Sequence, residues 1–437
     1  MSKVHLFIMV LCASLWTEGS YAQNSCVLTL EQMFALADQN SKSLKIEEAA
    51  MMEAQQGVKV ARNGYFPDID ISFSASYLGN GCLMDRDFSN GQNIKMPHFG
   101  NNFAVQVTQL IYGGGAITNG VAMAKLKEEM AGVNCEAARS RIRFMLTGFY
   151  LDLYKLQNVL KVYDRNIELA KVVIDDTKAR NKVGIALQND VTRYELQLKN
   201  LELARYRTIN TIEILNYDLA TMLGLPADRK IIPDSTLTEE ALPMQDMTYW
   251  QQLAQTNAHS VRQSALAVEM GKYREKLARA EMRPSVALIA GNHFDGPITI
   301  EVPTINMNYN YWHVGVGISF KLSSLYKADK SIKQAQYNTM ISRRRQDDAL
   351  QQVSLAIQAD YTKYMETYYE VATLEKKVQL AQENYGVIEN RYRNDIVLIT
   401  DMLDASNQLL EAELQLANAR VNVIFNYYKL KNTSGNL

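Results

Sequence analysis

The side chains that could do chemistry are few and scattered along the 437-residue chain. Gly113, Gly114 and Gly115 stand between an alternating stretch and a helical one, as a phosphate-cradling loop would. No Gly-Lys-Ser/Thr follows them, so a tight turn is the better reading. The five histidines show neither His-Glu-x-x-His nor another paired metal spacing. Cys26, Cys82 and Cys135 are an odd number without a Cys-x-x-Cys pair, and Cys12 lies further towards the N-terminus. Arg343, Arg344 and Arg345 could attract nucleic acid, but a solvated helix face accounts for them better. Asp190 and Asp401 each precede an apolar helical run, where aspartate is a preferred N-cap. No nucleophile, base and orienter can be assembled from these residues, which argues against an enzyme and implies no catalytic, cofactor or metal site.

The elements that must hold these residues begin after residue 22. A basic start at Lys3, an apolar run from Leu6 to Trp16 and the small-residue pattern Ser20, Tyr21, Ala22 predict a cleaved secretory signal, residues 1–22. Cys26 then follows Gln23, Asn24 and Ser25, a poor match to the small and apolar residues before a lipidated cysteine. With 46 basic and 47 acidic residues the chain has no basic footprint for nucleic acid. No later segment offers about 18 uninterrupted apolar residues, so a membrane role would have to use strands.

The eight prolines leave 98–225 and 304–437 free for very long helices. Two tandem repeats emerge, 23–225 and 249–437, separated by a connector at 226–248 that holds Pro226, Pro233 and Pro243. VARNGYFP, ending at Pro67, matches LARAEMRP, ending at Pro284; Asn181 to Val191 aligns with Tyr392 to Met402 and places Asp190 opposite Asp401. Each repeat reads helix, two strands, long helix, turn, helix.

Period-two alternation predicts strands at 68–78, 101–112, 285–294 and 311–321. Ile69, Ile71, Phe73, Ala75 and Tyr77 take one face of the first, and Trp312, Val314, Val316, Ile318 and Phe320 one face of the last. Strands of about ten residues, apolar on one side only, suit a lipid-facing barrel with a wet lumen. Tyr311 and Trp312 would join an aromatic girdle at the membrane interface, and His313 would face the lumen. Four-three spacing at Phe149, Leu153, Leu156, Leu160, Tyr163 and Ile167, and at Val371, Leu374, Val378, Ala381, Tyr385 and Ile388, predicts coiled-coil packing. A seam on the helix after the first turn is interrupted by a polar break at Arg205 and Thr208.

Four strands cannot close a barrel, for which about eight are needed. The subunit must therefore oligomerise, to a number that these patterns leave open. The expected fold is mainly α with a β-barrel portion, and the expected role a passive conduit. A periplasmic coiled-coil scaffold or adaptor that never enters the membrane is the alternative, against which the four strands argue.

From LTLEQMFALA near Leu28 to the C-terminus the chain resembles the TolC-like outer-membrane efflux channels. The stretch Asp401 to Val423, DMLDASNQLLEAELQLANARVNV, and VTQLIYGGG at Val107 to Gly115 carry the resemblance. It implies a homotrimer in which four transmembrane strands per subunit share one 12-stranded barrel and long helices form a coiled-coil barrel across the periplasm. It also implies docking on a periplasmic adaptor and an inner-membrane transporter, for export of drugs, other small molecules or proteins. The helical turns near Gly184 and Asp395 would form the periplasmic aperture, Tyr392 and Asp190 matching a link that holds it and Asp401 and Asp404 matching carboxylates that ring it. Asp395 replaces the second-repeat glycine and Val397 a linking arginine, so the network would be wired differently.

Overall fold

The computed structural model describes residues 25–234, 242–302, 304–394 and 396–437. The segment 1–22, expected as a secretory signal, and Asp395 lie outside them. In chain order the elements are β1 (Ser25–Leu28), α1 (Leu30–Asn40), α2 (Lys42–Asn63), β2 (Asp68–Tyr77), β3 (Gly81–Leu83), β4 (Gln92–Ile94), β5 (Phe99–Gly113) and α3 (Ala116–Lys182). There follow α4 (Gln188–Leu223), β6 (Lys230–Pro233), α5 (Met247–Asn257), α6 (His259–Ala280), β7 (Ser285–Gly296), β8 (Tyr309–Ser319), α7 (Ser324–Arg393) and α8 (Ile399–Thr433). The chain is mainly α-helical. At 1.5 Å per residue, the 67 residues of α3 and 70 of α7 give helices about 100 Å long. No described helix is long and apolar enough to cross a membrane.

One compact unit comprises the described residues within 1–45, 137–258 and 353–437. Its helices bury the four-three seams: Leu153, Ile167 and Ile174 on α3 are nearly inaccessible, and Ile167, Ala170 and Leu201 form a cluster against Tyr163, Leu198 and Leu410. Thr208, expected to break the α4 seam, is buried as well, because its hydroxyl donates to Ala204 O at 2.9 Å and so carries no unpaired proton inward. The connector is not wholly irregular: β6 pairs in parallel with β1, from Ser25↔Lys230 to Leu28↔Pro233. Buried Tyr150 secures this pair, its hydroxyl donating to Leu28 O at 2.6 Å and accepting from Asp234 N at 2.8 Å. The same burial pushes the phenol up to about 12. Gly224 ends α4 at φ 69°, and a Cβ there would meet the Asn40 side chain at 2.9 Å.

The other unit, residues 46–136 and 259–352, is built on an antiparallel sheet in the order β2-β5-β7-β8. Its register aligns Ile71, Val105, Asn292 and Trp312 in one row, and Ile69, Val107, Ala290 and Val314 in the next. These rows lie on a face that is apolar and exposed, with Ile71 70%, Trp312 74% and Val314 64% accessible. The opposite face aligns Asp70, Gln106, Gly291 and His313, then Ser72, Ala104, His293 and Tyr311. Strand bounds differ by a few residues from the alternation: β8 starts at Tyr309, paired with Asp295, and stops before Phe320. Between β2 and β5 the chain forms the short hairpin β3-β4. Gly114 and Gly115 form the turn into α3 at φ 66° and 90°, and a Cβ on Gly114 would meet Ala280 O at 2.6 Å. Arg343, Arg344 and Arg345 are exposed on α7, where Arg344 lies 3.5 Å from Asp347.

Candidate aperture at the turns of the helical hairpins

Two hairpins, α3-α4 and α7-α8, turn between Lys182 and Gln188 and between Arg393 and Ile399, within the first unit. Gly184 supplies the left-handed residue of the first turn at φ 78°. Asp190 and Asp401 are not N-caps, as their positions before the apolar runs suggested. Both sit at the third helical position and reach back, Asp190 Oδ2 accepting from Leu187 N at 3.0 Å and Asp401 Oδ2 from Leu398 N at 3.1 Å. Each satisfies a backbone donor that the helix start leaves unpaired. The reciprocal half of a capping box is missing, since Leu187 and Leu398 have no side-chain acceptor.

Asp401 and Asp404, one turn apart on α8, are both exposed, and Asp404 accepts from Gln408 Nε2 at 2.7 Å. Their carboxylates occupy one helix face at three-residue spacing. Tyr392 lies elsewhere, buried in a cluster with Ile174, Tyr194, Ile399 and Met402. Among the described residues no hydrogen bond joins Asp190 to Tyr392. The Tyr392 hydroxyl instead lies 3.3 Å from Thr177 Oγ1, whose own proton goes to Val173 O at 2.7 Å, so Tyr392 is the donor. Among the described residues the buried Tyr194 hydroxyl beside it has no partner, and burial holds its phenol well above the ordinary range.

The residue that sequence reasoning missed is Arg180. Its side chain is 17% exposed and pairs with Asp176 at 3.1 Å. Its guanidinium lies 5.3 Å from the Tyr392 ring centroid and donates to the carbonyls of Tyr392 at 3.3 Å and Arg393 at 2.5 Å. A cation thus rests on the C-terminal end of α7, where the carbonyls left without helical partners gather. Arg180 follows no motif, and only the packing of one hairpin on the other brings it there. Lys178 with Glu195 at 2.8 Å and Gln197 with Asn407 at 3.0 Å add polar contacts near the turns.

On the sheet, Tyr311 and Trp312 part company. Trp312 lies on the exposed apolar face, whereas Tyr311 turns to the polar one and stacks on His293 at 5.0 Å, because adjacent strand residues point to opposite sides. The two aromatics expected at one interface thus point to opposite faces of the sheet.

Residues 250–436 match the family model for outer membrane efflux proteins. Over all of its length the chain is 23% identical to the outer membrane protein TolC of Escherichia coli (strain K12), covering 87% of that protein. The C-terminal part of the chain is thus similar to outer membrane efflux proteins. The outer membrane efflux protein BepC of Brucella suis is 21% identical over 94% of the chain and 86% of BepC. Among solved structures, that of the outer membrane protein VceC from Vibrio cholerae superposes with a TM-score of 0.77, covering 93% of this chain and 96% of VceC at 16% identity. The chain therefore shares its fold with VceC over nearly its whole length.

Proposed function

We propose that this TolC-like protein is the outer-membrane channel of a tripartite efflux or type I secretion system, with its helical tunnel in the periplasm. The sheet is the observation that carries the reading. Its strands are apolar and exposed on one face, polar or small on the other, and among the described residues β2 and β8 have no partner on their outer edges. In hydrocarbon each unpaired backbone group costs several kcal/mol, and only closure removes the edge. Joining β8 of one copy to β2 of the next closes a ring by repeated head-to-tail contact. Three copies pool twelve strands into one barrel, the number that the resemblance to TolC implies. Lipid then touches Ile71, Val105, Val314 and Trp312, while Ser72, Gln106, His293 and His313 line water.

The helical hairpins lead to the aperture. Asp401 and Asp404, in three copies, ring the pore with carboxylates that repel one another, favour cations and bind divalent ions. The turns dock on a periplasmic adaptor that connects the channel to an inner-membrane transporter. Cargo selection rests with that transporter, because the channel's lining is polar and generic.

Single-channel conductance of the detergent-extracted protein in a planar bilayer tests this. The parent is expected to conduct with cation preference and divalent block, and the Asp401→Ala, Asp404→Ala double variant to lose both. A protein that stays soluble without detergent and never conducts would instead be a periplasmic scaffold.

A further inference from the structure

The polar face of the sheet holds a feature that the spacing of its residues conceals. His293 on β7 and His313 on β8 are twenty positions apart in sequence, yet their rings stack with centroids 5.7 Å apart and planes 16° from parallel. Two tyrosines extend the stack: Tyr311 at 5.0 Å from His293, and Tyr309 at 5.3 Å from Tyr311. Register explains the meeting. His313 pairs across the strands with Gly291 and His293 with Tyr311, making the two histidines diagonal neighbours on one face. Gly291 makes room for the contact, since a Cβ there would lie 2.6 Å from His313 Cε1.

We propose that His293 and His313 form a binding site for a borderline transition-metal ion of the Zn²⁺ or Ni²⁺ class. Imidazole suits these ions and suits Mg²⁺ or Ca²⁺ poorly, so the site discriminates among divalent cations where a carboxylate ring does not. The separation fits. With metal–nitrogen bonds of about 2.0–2.1 Å, two imidazoles on one tetrahedral ion hold their centroids about 5–6 Å apart. The rings therefore need to turn about their side-chain torsions to aim two nitrogens at one point, with no change of backbone separation. The pair stands on adjacent hydrogen-bonded strands, a firmer base than a loop. Stacking of Tyr311 on His293 limits the search of that ring.

No group of three or more metal-ligating His, Cys, Asp or Glu side chains occurs among the described residues, so the ion keeps water at its remaining positions. It is held reversibly, as suits an ion on a water-lined face. Placing the site inside the pore rests on the channel reading above; the pairing of the two histidines does not.

The experiment is Ni²⁺ titration by calorimetry of the detergent-solubilised protein purified without a histidine tag, beside His293→Asn and His313→Asn. Conductance is recorded in the same Ni²⁺ series. One ion per chain is expected for the parent, weakened roughly 100-fold by either substitution as the second arm of a two-armed contact is lost. The asparagines keep a polar group at each site, and the thermal melting of each variant reports its fold. Absence of Ni²⁺ binding by the parent, or equal binding by folded variants, overturns the proposal. Binding that depends on both histidines in a protein that never conducts would sink the channel reading and leave the metal site standing. Conductance that responds to Ni²⁺ identically in parent and variants would assign the block to the aspartates and remove His293 and His313 from the pore.

Discussion

If the hairpin turns form the aperture proposed above, Arg180→Ala should loosen it without disturbing the sheet. The side chain is 17% exposed, and it donates to two carbonyls at the end of α7 while resting on the Tyr392 ring. Hydrogen bonds from a charged donor contribute about 1.5–3 kcal/mol each, but the freed carbonyls regain water, so the lower end applies to the pair. The contact with the ring adds about 0.5–1 kcal/mol in a partly exposed setting. Asp176 is half exposed, so its ion pair with Arg180 adds little. If about 2 kcal/mol of this total is lost when the hairpins separate, its removal shifts the closed-to-open ratio roughly 30-fold. The assay is open probability and mean conductance in planar bilayers, with Arg180→Lys as the control. Lysine keeps the charge but not the planar fork, so it should fall between parent and alanine. Gating by Arg180→Ala indistinguishable from the parent, in a protein whose Asp401→Ala variant does change conductance, would refute the clamp.

Three further outcomes test the fold and its setting. Tyr150→Phe should cost about 1–3 kcal/mol in denaturant unfolding, since the acceptor at Leu28 and the donor at Asp234 lose their common partner. The raised Tyr150 phenol also gives stability that is complete below the unfolded value near 10 and declines as pH rises towards about 12. Melting between those values should therefore flatten in the phenylalanine variant. Val314→Lys, in the apolar row, should cost about 2–4 kcal/mol of membrane assembly if it lies near mid-bilayer, whereas Gln106→Lys on the other face should assemble normally; equal yields would refute the assignment of faces. Gly114→Ala forces φ 66° on a residue with a Cβ and drives that atom against Ala280 O, so heat resistance of the assembled protein should fall by more than the 1–2 kcal/mol of backbone strain alone.

What the sequence could disclose follows from where the relevant forces act. Alternation at Ile69 to Tyr77 and at Trp312 to Ile318 is local, so it discloses the strands and their apolar side directly. The long helices declare themselves through four-three seams such as Leu153 to Ile174 and through the lack of proline. The β1-β6 pair could not be read, because its residues lie some two hundred positions apart and are too few to show a period. Asp190 and Asp401 were visible as helix-start residues, but their place at the third position depends on where the turn ends. Arg180 and the His293-His313 pair are tertiary: one meets its acceptors across two hairpins, the other across a register that no spacing rule encodes.

The unpaired edges of β2 and β8 have a genetic consequence. If β8 of one copy pairs with β2 of the next, as proposed, a chain whose β8 is spoiled still offers a sound β2, so it enters a growing ring and then prevents its closure. Expressed equally with the intact chain, it leaves only about one assembly in eight free of damage if three copies make the channel. Lesions in β8 should then be dominant, whereas a chain that fails to fold before its sheet forms should be silently recessive.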